Sequence, residues 1–299
     1  MTDGLEDVVA AHTVMSDVDG AAGRLIIRGR SLDDLAGRAT FEEVARLLWD
    51  GFFDHLPADL AGPLAAARAE VFAEISAMDT GILALSPIEA MRALTARLAD
   101  GDDLTVALRL LAAPAVFTAA VVRGQAGEAP IAPDTSLSHA ADILRMLGKA
   151  PNQAEAEALD TYLVTVSDHG LNASTFAARV VASTRAGLGS AVLAGISALK
   201  AAIRRMGTRA GRLEFAEAVE RAVLEILKAH KPGRSLDTNV EFYTALLLEA
   251  LAFPPAAFTC VFAMGRTAGW IAHAREQLAG GRLIRPQSVY VGPTPRVAA

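Results

Sequence analysis

Cysteine is almost absent. The 299-residue chain carries one, Cys260, which excludes an intrachain disulfide and any zinc site built from thiolates. Its neighbours Phe258, Val261 and Phe262 predict a buried thiol without chemistry. Aromatic residues are scarce, at 5%, and alanine is abundant, which favours closely packed helices over a β-sandwich. Basic charge is not in excess: 28 Lys and Arg stand against 34 Asp and Glu. No basic stripe interleaves with aromatics, so nucleic acid is not an expected partner. The first residues, with Asp3, Glu6 and Asp7, lack the apolar stretch of a secretory signal. The longest apolar run, Leu110 to Val122, holds Pro114 and falls short of the roughly 20 residues that span a bilayer. A cytoplasmic location and no membrane partner are the expectation. No metal site or redox cofactor is visible.

What is present is core-forming material. Apolar residues make up 52% and charged residues 21%, enough for one large domain or one and a half. Two short strands are predicted, 8–14 and 24–28, flanking a turn at Asp19-Gly20. Asp17 and Asp19 invite a calcium-loop reading, but no Glu follows at the required distance. From residue 31 onward the pattern is helical. Thr40 to Glu43 is a capping box opening a helix to about Phe53. A helix follows from Pro57 to Met78, then a second capping box at Ser86 to Glu89. Leu104 to Gln125 is helical with an interruption at Pro114. Ala126 to Asp134 is a loop, and helices follow at about 135–148, 152–167, 171–186, 188–206, 212–230, 238–251 and 255–279. Arg282 to Tyr290 reads as extended. The class is all-α.

Four places could carry chemistry. In Ser167-Asp168-His169-Gly170 an Asp-His pair sits at a helix-to-helix corner. That suits an imidazole held in one tautomer while its other nitrogen meets a ligand; a capping turn with a structural His fits the stretch equally. Arg266 lies among small and apolar residues, where it is either a structural ion pair or an anion ligand. Glu241 is a carboxylate in the first turn of a helix, which the helix dipole alone favours. Arg285 lies between apolar neighbours and Pro286, where a surface arginine would be ordinary.

These stretches share one likeness. S-D-H-G-L-N-A-S-T-F-A-A-R-V-V-A-S-T resembles the central motif of bacterial citrate and methylcitrate synthases. S-D-V-D-G, N-V-E-F-Y, F-A-M-G-R-T-A-G-W-I-A-H and R-L-I-R-P resemble further signatures of that family, in order along the chain. The resemblance implies an all-α homodimer (hexamers also occur) that condenses acetyl-CoA or propionyl-CoA, as co-substrate, with oxaloacetate. It implies no permanently bound cofactor. His169 and Arg266 would bind oxaloacetate, and Arg285 would reach a carboxylate from the partner subunit. Glu241 would be the base, where most members have aspartate. It also implies a large domain built from 1–187 and 238–299, with 188–237 the remnant of a small domain.

One departure is large. Family members carry a G-P-L-H-G-G-A loop, a G-x-G-H-R-x-Y loop and a D-P-R-A segment, whose histidines hold the two reacting carbonyls. Here Lys200 runs straight into Ala201. Either the segment is deleted from this chain or the string is closed up across it; a break inside an otherwise well-kept site favours the second. A chain of these residues alone is expected to condense poorly. The rival reading is a non-catalytic paralogue that binds a dicarboxylate or pairs with a full-length subunit.

Overall fold

The computed structural model describes residues 8–20, 22–77, 80–203, 240–288 and 292, with backbone alone at 76–77, 200–203 and 240–243. The helix expected at 212–230 lies outside them. An antiparallel sheet opens the fold: β1 (Ser16–Asp19), β2 (Arg24–Ile27) and β3 (Arg30–Ser31), in that order. This corrects the strand expected at 8–14, which forms no strand. Met15 and Ile27 enter the core, and Ser16 pairs with Ile27, so β1 runs up to Asp19. Gly20, Ala22 and Gly23 lie in the turn, where Asp19 Oδ1 accepts the Ala22 N–H at 3.0 Å.

Helices follow: α1 (Leu32–Leu35), α2 (Phe41–Trp49), α3 (Ala61–Ala73), α4 (Thr80–Leu83), α5 (Pro87–Thr95), α6 (Leu104–Gln125), α7 (His139–Met146), α8 (Gln153–Val166), α9 (Ala173–Ser183), α10 (Leu188–Ile203), α11 (Val240–Ala250) and α12 (Phe258–Gly280). The capping box of α2 is present. Thr40 Oγ1 accepts the Glu43 N–H at 3.2 Å, and Glu43 accepts the Thr40 N–H at 2.8 Å. The α2 helix nonetheless stops at Trp49, four residues early.

The break expected at Pro114 does not occur. A proline inside a helix costs about 3 kcal/mol, but α6 is buried from Leu110 to Val121, and packing on all sides outweighs that loss. At 22 residues and mean hydropathy 1.9, α6 is long and apolar enough to cross a bilayer, contrary to the expectation. Most of that window, 78%, is buried inside the fold.

The axis of the molecule is α12, which packs on α2, α5, α6, α8, α9 and α10 and buries every residue from Ala263 to Ala274. Cys260 lies within it, fully buried. Burial pushes its thiol up to about 12, which keeps it inert. The α10 helix runs through the Lys200–Ala201 junction without a break, and its Leu188, Ala191, Val192 and Ile196 join the same core.

Asp160 on α8 yields a test of the fold. It accepts the Phe41 N–H at 3.1 Å. Burial, reinforced by Glu42 and Glu43, raises its carboxyl to about 7 despite that bond. Between pH 4 and 7 the folded state therefore holds a proton that the unfolded chain releases, so stability falls as pH rises through that window and levels off above it. At about 1.4 kcal/mol per unit the full fall would reach ~4 kcal/mol. Asp160 borders an open cavity, so roughly 1–2 kcal/mol is expected. Asp160→Asn keeps the acceptor and should flatten the fall in urea melts across this range.

Candidate active site

The α8 helix ends at Val166, and Ser167, Asp168, His169, Gly170 and Leu171 turn the chain into α9. Asn172 starts α9 as its N-cap, its Oδ1 accepting the Thr175 N–H at 2.9 Å. Gly170 sits at φ +65°, a conformation open to glycine at little cost. Asp168 points inward and is fully buried, whereas His169 faces solvent.

Asp168 is held from two directions. Ser16 on β1 donates its hydroxyl to Oδ2 at 2.6 Å. His273 on α12 places Nε2 at 3.1 and 3.2 Å from the two oxygens. Arg179 Nη1 lies 2.7 Å from His273 Nδ1. A guanidinium has only donors, so Nδ1 must accept and the proton sits on Nε2, facing Asp168. Arg179 also donates to Glu276 at 2.5 Å and to Gln277 at 3.1 Å. Burial disfavours the Asp168 carboxylate, but His273, Ser16 and the Arg266 charge outweigh it and hold the carboxyl below its usual range.

Two glycines let α12 approach the corner. A Cβ on Gly265 would stand 2.8 Å from the Leu163 carbonyl, and one on Gly269 would stand 2.8 Å from Asp168 Oδ1. Between them lies Arg266, 3% exposed. Its Nε donates to the Val166 carbonyl at 2.6 Å, and its guanidinium carbon lies 4.8 Å from the Phe262 ring centre. Its Nη1 is buried and has no partner among the described residues, as is true of Ser167 Oγ in the corner and Thr175 Oγ1 in the first turn of α9. Burial pulls the Arg266 pKa down, and the charges of Asp168 and Tyr162 oppose that pull. An orphaned buried donor costs about 1–3 kcal/mol, more when charged, so this one is suited to an anion.

The structure thus brings Arg266 to the corner that carries His169. Arg285 is not brought there. It is exposed, and its neighbour Ile284 bonds Ser183, at the end of α9 away from the corner. Glu241 lies in the first turn of α11, and its side chain is outside the described residues. Two cavities of about 520 and 770 Å³ lie along α2 and α8 and are lined by none of these four residues. Sequence reasoning missed Ser16, Arg179 and His273. The spacing His273, Glu276, Gln277 on one helix face was the available signal, since three polar groups at i, i+3 and i+4 in an apolar helix require partners.

The model of the citrate synthase C-terminal domain matches this chain at residues 4–208 and again at 200–287. The chain belongs to the citrate synthase family. A protein named putative citrate synthase 2 from Mycobacterium tuberculosis is 33% identical over 362 residues, covering 98% of this chain and 93% of the relative. The 2-methylcitrate synthase of the same organism is 30% identical, covering 98% and 91%. The crystal structure of citrate synthase from Thermotoga maritima superposes with a TM-score of 0.77 at 25% identity, covering 100% of this chain and 98% of that one.

Both relatives' alignments exceed the length of this chain. An alignment of 362 positions against a chain of 299 leaves at least 63 positions facing gaps here. The two matches to the family model meet at 200–208, where the resemblance implies the histidine loops. The described histidines do not replace them. His139 is buried, 5.5 Å from the Phe41 ring. His273 is committed to Asp168. His12 and His55 are exposed, before β1 and after α2, and His230 lies outside the described residues. The expectation of poor condensation draws no support from the relatives, which carry enzyme names.

Proposed function

We propose that this chain, a citrate-synthase-type acyltransferase, condenses an acyl-CoA thioester with oxaloacetate, binding one oxaloacetate carboxylate on Arg266 and the rest of the molecule against His169. The observation that carries this reading is the buried, unpaired Nη1 of Arg266 beside the corner that turns His169 outward. The N-terminus of α9 begins three residues after His169 and adds positive potential for an anion. Glu241 is the base that removes a proton α to the thioester, creating an enolate that attacks the oxaloacetate carbonyl; the resulting alkoxide takes up a proton, and water then cleaves the thioester C–S bond to release CoA thiol and the tricarboxylate. Arg285 serves the neighbouring site in a homodimer, in keeping with its position away from its own corner. Nothing favours the non-catalytic reading.

The test is oxaloacetate-dependent release of CoA thiol from acetyl-CoA and propionyl-CoA measured in parallel. The faster thioester identifies the acyl substrate. Glu241→Gln is expected to lower release about 10²- to 10⁴-fold while oxaloacetate still stabilises the protein against heat. No release with either thioester, at any oxaloacetate concentration, would refute the condensation.

A further inference from the structure

The two residues on either side of His169 are tied to one hydroxyl on another part of the chain. Ser16 Oγ donates to Asp168 Oδ2 at 2.6 Å and accepts the Gly170 N–H at 2.8 Å. The imidazole between them therefore has its backbone fixed from β1, some 150 residues away in sequence. We propose that Ser16 is a positioning residue of the oxaloacetate site, its hydroxyl bracketing His169 and setting the direction in which that imidazole meets the ligand. This rests on the reading of His169 and Arg266 as oxaloacetate ligands.

Three observations give Ser16 this role in preference to a merely local bond. First, the strand that carries it is itself fixed. Met15 is fully buried, its carbonyl accepts the Arg28 N–H at 2.7 Å, and Ser16 pairs with Ile27. Second, the strand is tied to α12 independently, because Glu276 Oε1 accepts the Val14 N–H at 2.8 Å. The bonds thereby close a ring: Val14, Glu276, Arg179, His273, Asp168 and Ser16. Arg266 projects from the same helix as His273 and Glu276, so the ring sets His169 and Arg266 in one frame. Third, the corner is tied within itself by one bond past His169, from the Asn172 N–H to the Gly170 carbonyl at 3.0 Å, and leans on β1 for the rest. Gly170 at φ +65° has no side chain to restrain it, and a Cβ there would meet Val18 of β1 at 3.4 Å. Without the hydroxyl, the Gly170 N–H loses its partner and Asp168 keeps only the donor on His273, so the backbone that carries His169 is held from α12 alone and can shift. Misplacement of a binding group by about an ångström can cost ~10²-fold.

The experiment measures oxaloacetate affinity by calorimetry well below the melting temperature, with the melting temperature recorded separately. Ser16→Ala is expected to weaken oxaloacetate binding about ten- to a hundred-fold. Ser16→Thr, which keeps the hydroxyl and suits a strand, is expected to stay within about twofold of the parent. In steady-state assays the Ser16→Ala loss should appear in KM for oxaloacetate and leave KM for acyl-CoA in place. A Ser16→Ala protein that melts earlier but binds oxaloacetate as the parent does would overturn the proposal. If that variant does not fold, Ser16→Cys, somewhat larger and a weak donor, decides between the outcomes: severalfold weaker binding supports the proposal, and parental binding overturns it. Arg266→Leu and His169→Ala separate the two readings. If both bind oxaloacetate normally, the functional reading itself fails. If they lose binding while Ser16→Ala keeps it, only the positioning role fails.

Discussion

Arg266→Leu is expected to remove most of the thermal stabilisation that oxaloacetate gives the parent protein. A ligand present at a hundred times its dissociation constant stabilises the folded state by about 2.7 kcal/mol, and the variant should keep at most about 0.9 kcal/mol of it at the same concentration. The reason is local. The guanidinium is buried with Nε committed to Val166 and Nη1 without a partner among the described residues, and its charge acts on Asp168 beside His169. Truncating one partner of a buried charge pair costs about 2–5 kcal/mol, so affinity should fall at least thirtyfold. Arg266→Lys is not a conservative control, because a point charge cannot hold Val166 and a carboxylate in one plane. It should recover only a small part of the binding. Normal oxaloacetate stabilisation in Arg266→Leu, measured by differential scanning calorimetry, would contradict the assignment.

Gly269→Ala should be the most damaging single-methyl addition in α12. The new Cβ would stand 2.8 Å from Asp168 Oδ1 and 3.3 Å from Asp168 Cβ, so helix and corner must separate. Forcing a methyl into a packed interior costs typically about 1–3 kcal/mol. Here the shift also strains the bonds from His273 and Ser16 to the Asp168 carboxylate, so a loss at the upper end of that range is expected, together with weaker oxaloacetate binding. Gly280→Ala is the control on the same helix. A Cβ there meets nothing within 4 Å, and replacing a helical glycine should stabilise by roughly 0.5–1 kcal/mol. Urea denaturation of the two variants should therefore shift in opposite directions, and parallel shifts would refute the close-packing argument.

Much of the fold was legible because helix patterning is local. The capping box at Thr40 and the Asn172 start of α9 can be read within four residues, and the periodic apolar residues of α8, α9 and α12 show their inward faces. The errors have tertiary causes. Residues 8–14 have strand-like composition, but a strand needs a partner, and the partner of β2 is set by Met15 and Ile27 entering the core together. Pro114 marks a break locally, and only burial on every side lets α6 continue through it.

The same division holds at the site. The sequence by itself determined the family and the all-α class, and it supplied His169 and Arg266 as the proposed ligands, because those motifs are contiguous words whose residue types limit the chemistry. Which of these residues meet was decided by tertiary packing alone. Gly265 and Gly269 admit α12 against the end of α8, bringing Arg266 to Val166 and His273 to Asp168, about a hundred residues apart in the chain. Ser16 reaches Asp168 and Gly170 only because the β-sheet register places it there. A hydrogen bond between distant segments leaves no periodic trace in sequence, since its geometry belongs to the packing and not to either segment.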